Sequence, residues 1–346
     1  MLRPQPGSPR YDPEDPTPVW PPSPRARGRR CSPRRLGLLA VVVLLVLALL
    51  AAPAILRAPV RRHAAAATLL PPPLPAFSSA RHLIIVAGHA IYTDASGRDR
   101  GRLALESSWF LEPFQHGQLG TMLAHVERGV ALAAADNSSI LLFSGGETRA
   151  AAGPRSEALS YWEAAESRGW FGAAHVRPRA QLEAQARDSL ENLLFSLCRY
   201  HELVGAYPER VTVVSFGFKR RRFEELHRRA LRLPRATFSF VGIDPPDLPA
   251  NVPAAERANS YKEFQADPYG CRDPSLRRKR ADRNPFRRSI SYPDGCPELA
   301  PLIEGCPDGG LYDGPLPWSA ALTPGDDASM YPGLFSKGVG ESSRDV

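Results

Sequence analysis

The chain has 346 residues, enough for one large or two small domains, and a formal net charge of +8. The surplus belongs to residues 1–62, which hold 11 arginines, no lysine and 3 acids, whereas residues 63–346 balance at 33 basic against 33 acidic residues. The high net charge is therefore no evidence for a nucleic-acid-binding domain, and we expect no nucleic-acid partner.

The first 80 residues divide into three segments of different composition. Residues 1–35 are rich in Pro, Arg and Ser and predict a disordered basic cytosolic tail, because they cannot bury enough apolar surface. Residues 36–56 carry no charge and, at about 1.5 Å per residue, match the roughly 30 Å hydrocarbon core of a bilayer. They predict a single signal-anchor transmembrane helix, with a cleaved signal peptide as the competing interpretation. Residues 57–80 predict a stiff Pro/Ala-rich stalk.

The charges around the apolar span predict its orientation. Six arginines lie just before it and three just after it, so the positive-inside rule places residues 57–346 in the lumen. We therefore predict a type II membrane protein of the endoplasmic reticulum or Golgi, with the membrane as a partner and its protein partners unknown. The sequon at Asn137 predicts a glycosylated turn in that compartment.

Four of the five cysteines lie on the predicted lumenal side. Cys271, Cys296 and Cys306 occur in a Pro/Gly-rich segment with little core of its own, where a disulfide would contribute most to order. We favour the pair Cys296–Cys306, although the sequence does not fix the connectivity. Cys198 falls on the apolar face of a predicted helix and is interpreted as a buried thiol. No spacing of Cys or His predicts a metal site.

Between residues 81 and 250, short apolar runs alternate with amphipathic helical patterns. The predicted strands are 82–89, 139–144, 175–179, 211–216 and 237–243. The predicted helices are 121–135, 157–168, 188–204 and 219–231. Strands that alternate with helices require crossover connections, so the pattern predicts a Rossmann-like three-layer α/β sandwich with a mostly parallel sheet.

The carboxyl ends of parallel strands meet at one edge of the sheet, where open α/β folds bind ligands. Gly145 and Gly146 follow the central strand and would let a ligand approach the backbone, the alternative being a tight turn. Lys219 and Arg222 lie three residues apart at the start of a helix, where cations oppose the helix dipole. They predict a small anionic ligand, the alternative being a solvated basic face.

Candidate acids or bases at this edge are Glu147, Glu191 and His89. Glu191 is equally well explained as a capping-box partner, and His89 as a hydrogen-bonded structural histidine. The predicted ligand contacts are Gly88, Ser144, Gly145, Gly146, Thr148, Glu157, Asp188, Ser189, Asn192, Lys219 and Arg222. No GxGxxG, P-loop, GxSxG or HExxH motif occurs, so no common cofactor or nucleophile mechanism is indicated.

The ordered set of motifs resembles domain of unknown function 218, a family that includes the bacterial SanA, ElyC and YdcF proteins. The resemblance covers roughly residues 81–250 and rests on Ser144-Gly145-Gly146, Ser156-Glu157-Ala158, Asp188 to Asn192, and Phe218-Lys219-x-x-Arg222. The residues that look most like its eukaryotic, chiefly fungal, branch are Gly88-His89-Ala90-Ile91, Trp109, Gln115 and Lys219. The resemblance implies a Rossmann-like fold, often behind one membrane anchor, and S-adenosylmethionine binding in one member. Bacterial members differ at the start of the Asp188 helix and carry a histidine after the fourth strand.

Two segments follow the predicted core. Residues 251–318 form a Cys-containing basic extension, predicted to lie across the domain and to meet membrane headgroups, an anionic glycan or only solvent. Residues 319–346 predict a disordered tail.

Two functions are compatible with these patterns. The first is a lumenal enzyme of glycan, nucleotide or lipid-linked phosphate metabolism. The second is a non-catalytic, membrane-tethered binding or scaffold protein with an S-adenosylmethionine-like or anion site.

Overall fold

A computed structural model of the chain describes residues 10–12, 15–19, 77–94, 102–307 and 310–318. The chain divides into two compact units, residues 1–61 and residues 62–346. In the first unit, β1 (Arg10–Asp12) pairs with β2 (Asp15–Val19) in antiparallel orientation. Both strands lie in the tail for which composition predicts disorder, and an isolated two-stranded ribbon is only marginally stable.

No helix in the described ranges is long and apolar enough to cross a membrane. The longest, Leu119–Ala134 and Ser189–Val204, have 16 residues each, whereas a span needs about 20 apolar residues. The predicted fold class, an α/β domain behind a single transmembrane helix, is therefore wrong in its membrane part. The predicted span itself, residues 36–56, lies outside the described residues.

Seven strands are described in the second unit. They are β3 (His82–Ala87), β4 (Ile91–Tyr92), β5 (Trp109–Phe110), β6 (Ser139–Ser144), β7 (Ala180–Glu183), β8 (Arg210–Ser215) and β9 (Phe238–Gly242). Strands β4 and β5 form an antiparallel pair, and the other five form one parallel sheet in the order β7-β6-β3-β8-β9. The predicted α/β class with a parallel sheet is confirmed.

Eight helical segments accompany these strands. They are α1 (Leu119–Ala134), α2 (Glu157–Ser167), α3 (Ser189–Val204), α4 (217–230), α5 (252–266), α6 (Pro274–Asp282), α7 (Tyr292–Gly295) and α8 (Ala300–Glu304). Helix α4 joins a 3-10 turn (Gly217–Lys219), a π-helical turn (Arg222–His227) and a last α-helical turn (Arg228–Ala230).

Both faces of the sheet are covered, as the apolar runs predict. All six residues of β3 are buried, and consecutive side chains enter different cores. Leu83 and Ile85 join the core with α3, α4 and the C-terminal extension, whereas Ile84 and Val86 join the core with α1 and α2. A strand buried on both faces reads as a continuous apolar run, which is why β3 and β6 are recognisable in the sequence.

The predicted strand 175–179 is wrong. Ala174–Arg179 forms a 3-10 helix, and the edge strand β7 begins only at Ala180. Pro178 lies inside the 3-10 helix and has no N–H group to donate to a sheet.

Two disulfides attach the C-terminal extension to the core, and they differ from the predicted pair Cys296–Cys306. Cys198 of α3 is bonded to Cys296, and Cys271 is bonded to Cys306. The side of α3 that carries Cys198 packs against α7, so this cysteine is not a free buried thiol. The extension also buries aromatic residues against α3 and α4, among them Phe264 and Tyr292. It is an integral part of this unit.

The Cys198–Cys296 bond should be the larger covalent contribution to stability, because it closes a sequence separation of 98 residues against 35 for Cys271–Cys306. We expect the double substitution Cys198→Ser/Cys296→Ser to lower the free energy of unfolding by about 4–5 kcal/mol, and Cys271→Ser/Cys306→Ser by about 1 kcal/mol less. Denaturant unfolding measures both values. A Cys296–Cys306 peptide in a non-reducing peptide map would contradict this connectivity.

Candidate functional site

The order of the strands defines where a ligand should bind. The chain runs outward from β3 through β6 to β7, then returns to β8 on the other side of β3. In an open α/β sheet, the crevice at such a reversal is the usual ligand site. Here it lies between the carboxyl ends of β3 and β8, and we call it the switch-point crevice.

Two predicted site residues meet in the switch-point crevice. His89 follows β3 and Lys219 lies in the first turn of α4, and both are half-buried. The Lys219 amine nitrogen lies 3.1 Å from Nδ1 and 3.2 Å from Nε2 of the His89 ring. The ring also contacts Ser215, whose hydroxyl oxygen lies 3.1 Å from Nε2. Two cations this close would repel each other, so His89 and Lys219 do not both carry a proton charge.

Burial and neighbouring charges favour the neutral forms of this pair. Burial, followed by the charge of Lys219, holds the pKa of His89 well below its usual range. Burial, followed by the charges of Arg222 and Arg283, holds the pKa of Lys219 well below its usual range. The ring of Phe216 packs against His89 at a centroid distance of 4.9 Å and adds an apolar wall.

Glu157, at the start of α2, lies against the glycines of the neighbouring strand ends. A side-chain carbon on Gly88 would lie 2.6 Å from Cβ of Glu157, and one on Gly145 would lie 2.6 Å from its Oε2. Gly88 and Gly145, which were predicted to let a ligand approach, therefore leave the space that the Glu157 side chain occupies. Thr148 donates a hydrogen bond of 2.5 Å to Oε1 of Glu157. Burial raises the pKa of Glu157, and the Thr148 hydrogen bond and the Arg283 charge oppose that rise.

The backbone around Gly145 and Gly146 is fully engaged within the protein. Their carbonyl oxygens accept the first N–H groups of α2, from Ala158 and Glu157 respectively, each at 3.1 Å. Because these donors are occupied, the N-terminus of α2 is not an anion site of the kind that helix starts often provide. A side chain on Gly146 would lie 2.8 Å from the carbonyl oxygen of Ala186, so this glycine serves close packing as well.

Glu183, at the end of β7, is a site residue that the sequence did not indicate. It is fully buried and accepts a hydrogen bond of 2.5 Å from the Ser144 hydroxyl group. Its other oxygen accepts the N–H of Gln185 at 2.7 Å and the Tyr292 hydroxyl at 3.2 Å. Asn192 donates to the Ser144 oxygen at 2.8 Å and completes the network. The sequence did not indicate Glu183, because the predicted strand 175–179 ends four residues before it, whereas the observed strand β7 ends at Glu183.

The acids predicted at the start of α3 are neutralised by arginines. Asp188 caps the helix by accepting the N–H of Glu191 at 2.9 Å, and it pairs with Nε of Arg280 at 2.6 Å. This pairing outweighs burial and lowers the pKa of Asp188 to about 2. Glu191 contacts Arg280 at 3.2 Å and accepts Nε of Arg187 at 2.8 Å. Ser189 instead faces His227, with 2.7 Å between its hydroxyl oxygen and Nε2.

Of the three predicted acid–base residues, His89 alone lines the switch-point crevice. Glu191 borders a cavity of about 230 Å³ under the extension, whose lining includes neither His89 nor Lys219. Glu147 is held by exposed Arg288, at 2.8 Å between Oε2 and Nε. Both carboxylates have structural arginine partners, so the geometry favours Glu157 as the carboxyl group of the site.

The extension adds a cation that lay outside the region of family resemblance. Arg283 follows α6 and donates to the backbone carbonyl of Arg187 at 2.9 Å. Its charge acts on the pKa of His89, Glu157 and Lys219. Arg222 is buried and lies 3.4 Å from Glu256, measured from Nε to Oε1. No strand or helix pattern in the sequence predicts that Arg283 lies at this edge of the sheet.

The comparisons with known proteins identify a relative without an assigned activity. The chain is 26% identical over 298 residues to an uncharacterized protein of Saccharomyces cerevisiae, YOR238W, covering 69% of this chain and 97% of the yeast protein. No protein-family model matches the chain, so the resemblance to domain of unknown function 218 stays a prediction. No solved structure matches it.

Glu183 should make stability depend on pH. Burial raises its pKa from the ordinary 4.5 to about 7, so between these values the folded state binds a proton that the unfolded state lacks. The contribution of Glu183 to the free energy of unfolding is therefore fully present below pH 4.5 and is lost as the pH rises through about 7. Glu183→Gln keeps a neutral side chain, so its stability relative to wild type should rise by about 2.5 kcal/mol between about pH 5 and about pH 8.

Urea unfolding at the two pH values measures this gain. Glu127, exposed on α1, provides the control Glu127→Gln, which should leave the pH dependence unchanged. Equal slopes for wild type and Glu183→Gln would show that Glu183 does not titrate in this window.

Proposed function

We propose that the second unit binds a small anionic ligand in the switch-point crevice and acts on it as an enzyme. The contact between His89 and Lys219 carries this proposal, because it joins two perturbed titratable groups where open α/β sheets bind ligands. Compounds of suitable chemistry carry a phosphate or carboxylate group, as nucleotides, sugar phosphates and lipid-linked phosphates do.

The distribution of ion pairs supports an anionic ligand. Within the described residues, Asp188, Glu191 and Glu147 all pair with arginines, whereas Lys219 and Arg283 have no carboxylate at ion-pair distance. Arg283 uses one guanidinium nitrogen on a backbone carbonyl, and its remaining N–H groups can bind an oxyanion. A negatively charged group beside Lys219 and Arg283 would balance the charges of Arg222 and Arg283, and the Lys219 amine can donate a hydrogen bond to it.

Glu157 supports a catalytic role over simple binding. A buried carboxyl group with a raised pKa, next to cations that a ligand would neutralise, is suited to exchange a proton with that ligand. Binding alone would not require an acid in this place.

S-adenosylmethionine, which the family resemblance suggests, fits these residues poorly. Its sulfonium group is a cation, and the crevice already contains the charges of Arg222 and Arg283. We therefore propose an anionic ligand in the crevice and not S-adenosylmethionine.

Arg283→Gln should weaken binding of the anion while leaving the fold intact. Loss of one charge-assisted hydrogen bond corresponds to roughly 10- to 100-fold in Kd. Calorimetry on the full chain, with phosphate, pyrophosphate, nucleotides and sugar phosphates, measures the change. The matched control is Arg278→Gln, because Arg278 is exposed on α6, just before Arg283.

The same panel separates the two functions. Compounds that bind are incubated with the protein and analysed by chromatography for turnover. Binding that Arg283→Gln weakens, without any turnover, would favour the non-catalytic scaffold. Equal Kd values for Arg283→Gln and Arg278→Gln would contradict the anion site.

We also propose that the second unit matures in an oxidising compartment of the secretory pathway. Its two disulfides support this, since such bonds persist where thiols are not kept reduced. Asn137 lies exposed in the turn before β6, where a glycan has room. Endoglycosidase treatment should increase the gel mobility of the wild-type protein but not of Asn137→Gln. Unchanged mobility of both, with Cys198 and Cys296 alkylated in cells, would contradict the proposal.

A further inference from the structure

Lysine is a rare residue in this chain. The sequence contains 4 lysines against 40 arginines, and Lys219 is followed directly by three arginines. Arginine keeps its charge in all protein environments, whereas a lysine amine loses its proton readily when it is buried beside other cations. Arginine would suffice for a site that needed only positive charge. The lysine at the switch-point crevice therefore indicates an amine that works without its proton.

The surroundings of the Lys219 amine agree with this interpretation. Its nearest polar neighbour is the imidazole of His89, and its nitrogen lies 5.2 Å and 5.7 Å from the ring centroids of Phe216 and Phe218. The two aromatic faces favour the ammonium form, whereas burial and the charges of Arg222 and Arg283 oppose it and hold the pKa of Lys219 well below its usual range.

The charged groups that face Lys219 come from four elements. Arg222 lies on α4 and Arg283 follows α6, and both charges lower its pKa, as burial does. Glu157 on α2 and Glu256 on α5 act in the opposite direction. Burial and the two arginine charges outweigh both carboxylates, so the pKa of Lys219 stays well below its usual range.

We propose that Lys219 is a nucleophile that forms an imine with an aldehyde or ketone group of the anionic ligand. This inference rests on the proposed function and adds the substrate class, a carbonyl compound that also carries a phosphate or carboxylate group. Arg283 and Arg222 would hold the anionic group, and the amine would face the carbonyl carbon. A desolvated lysine beside other cations is an established way to obtain an amine nucleophile near neutral pH.

The chemistry balances with the groups present. The lone pair of the Lys219 nitrogen forms a bond to the carbonyl carbon, and the π electrons of the C=O bond move to oxygen, which takes a proton. The resulting hydroxyl group receives a second proton from Glu157 and leaves as water, while the nitrogen lone pair forms the C=N bond. The amine gives up its two protons in these steps, one to the oxygen and one that restores Glu157 to its acid form. No oxidant or reductant is consumed.

A trapping experiment on the full chain tests the inference. Pyridoxal 5′-phosphate serves as the probe, because it combines an aldehyde with a phosphate, and cyanoborohydride reduces any imine to a stable amine. Peptide mapping then gives the rate of labelling at each lysine. We expect Lys219 to react at least about tenfold faster than exposed Lys262 near neutral pH, one pKa unit being equivalent to a factor of ten. Inorganic phosphate should protect Lys219, and pyridoxal, which lacks the phosphate, should react more slowly.

The outcomes separate the two proposals. Calorimetry with inorganic phosphate on wild type and on Lys219→Arg, which has a charged side chain but no nucleophilic amine, reports the anion site. Phosphate binding to both proteins, with Lys219 labelled no faster than Lys262, would overturn the imine and leave the anion site standing. No phosphate binding and no protection in wild type would overturn the anion site. The comparison of Lys219 with Lys262 is made in the wild-type protein, so it does not depend on the folding of a variant.

Discussion

The pairing of Asp188 and Glu191 with Arg280 of the extension is the interaction on which the candidate site depends. The two acids lie at the start of α3, and Arg280 contacts both of them. Removing one partner of such a buried pair typically costs about 3–5 kcal/mol, because the other charge stays uncompensated. The extension therefore supplies the charge that these acids need, and the disulfide between Cys198 and Cys296 attaches it covalently to α3.

This arrangement sorts the charges of the second unit into two groups. Asp188, Glu191 and Glu147 pair with arginines of the extension. Lys219 and Arg283, by contrast, lie at the crevice between β3 and β8 without carboxylate partners among the described residues. The same docking brings Tyr292 onto Glu183, which supports the loop after β6 through Ser144. The extension thus contacts the candidate site in two places, through Arg283 and through Tyr292.

The sequence predicts the parallel sheet well, because β3, β6 and β8 are continuous apolar runs, and the polar residues that follow them lie at one edge of it. It predicts contacts less well. His89 and Lys219 are 130 residues apart, and only the order of the strands brings them together. Glu183 was missed because Pro178 delays the start of β7, and Arg283 because no periodicity relates the extension to the core. The disulfide pairing likewise depends on the tertiary packing of α3.

The Cys198–Cys296 bond also has a consequence for limited proteolysis. The segment 244–251 between β9 and α5 is largely exposed, which makes it the natural place for a protease to cut. Such a cut falls between the two bonded cysteines, so the extension would stay covalently attached through Cys198. The nicked protein would migrate as one chain until reduced, and Arg280 and Arg283 would remain in place beside the crevice. Cleavage in this segment and loss of the extension are therefore separate events in this protein.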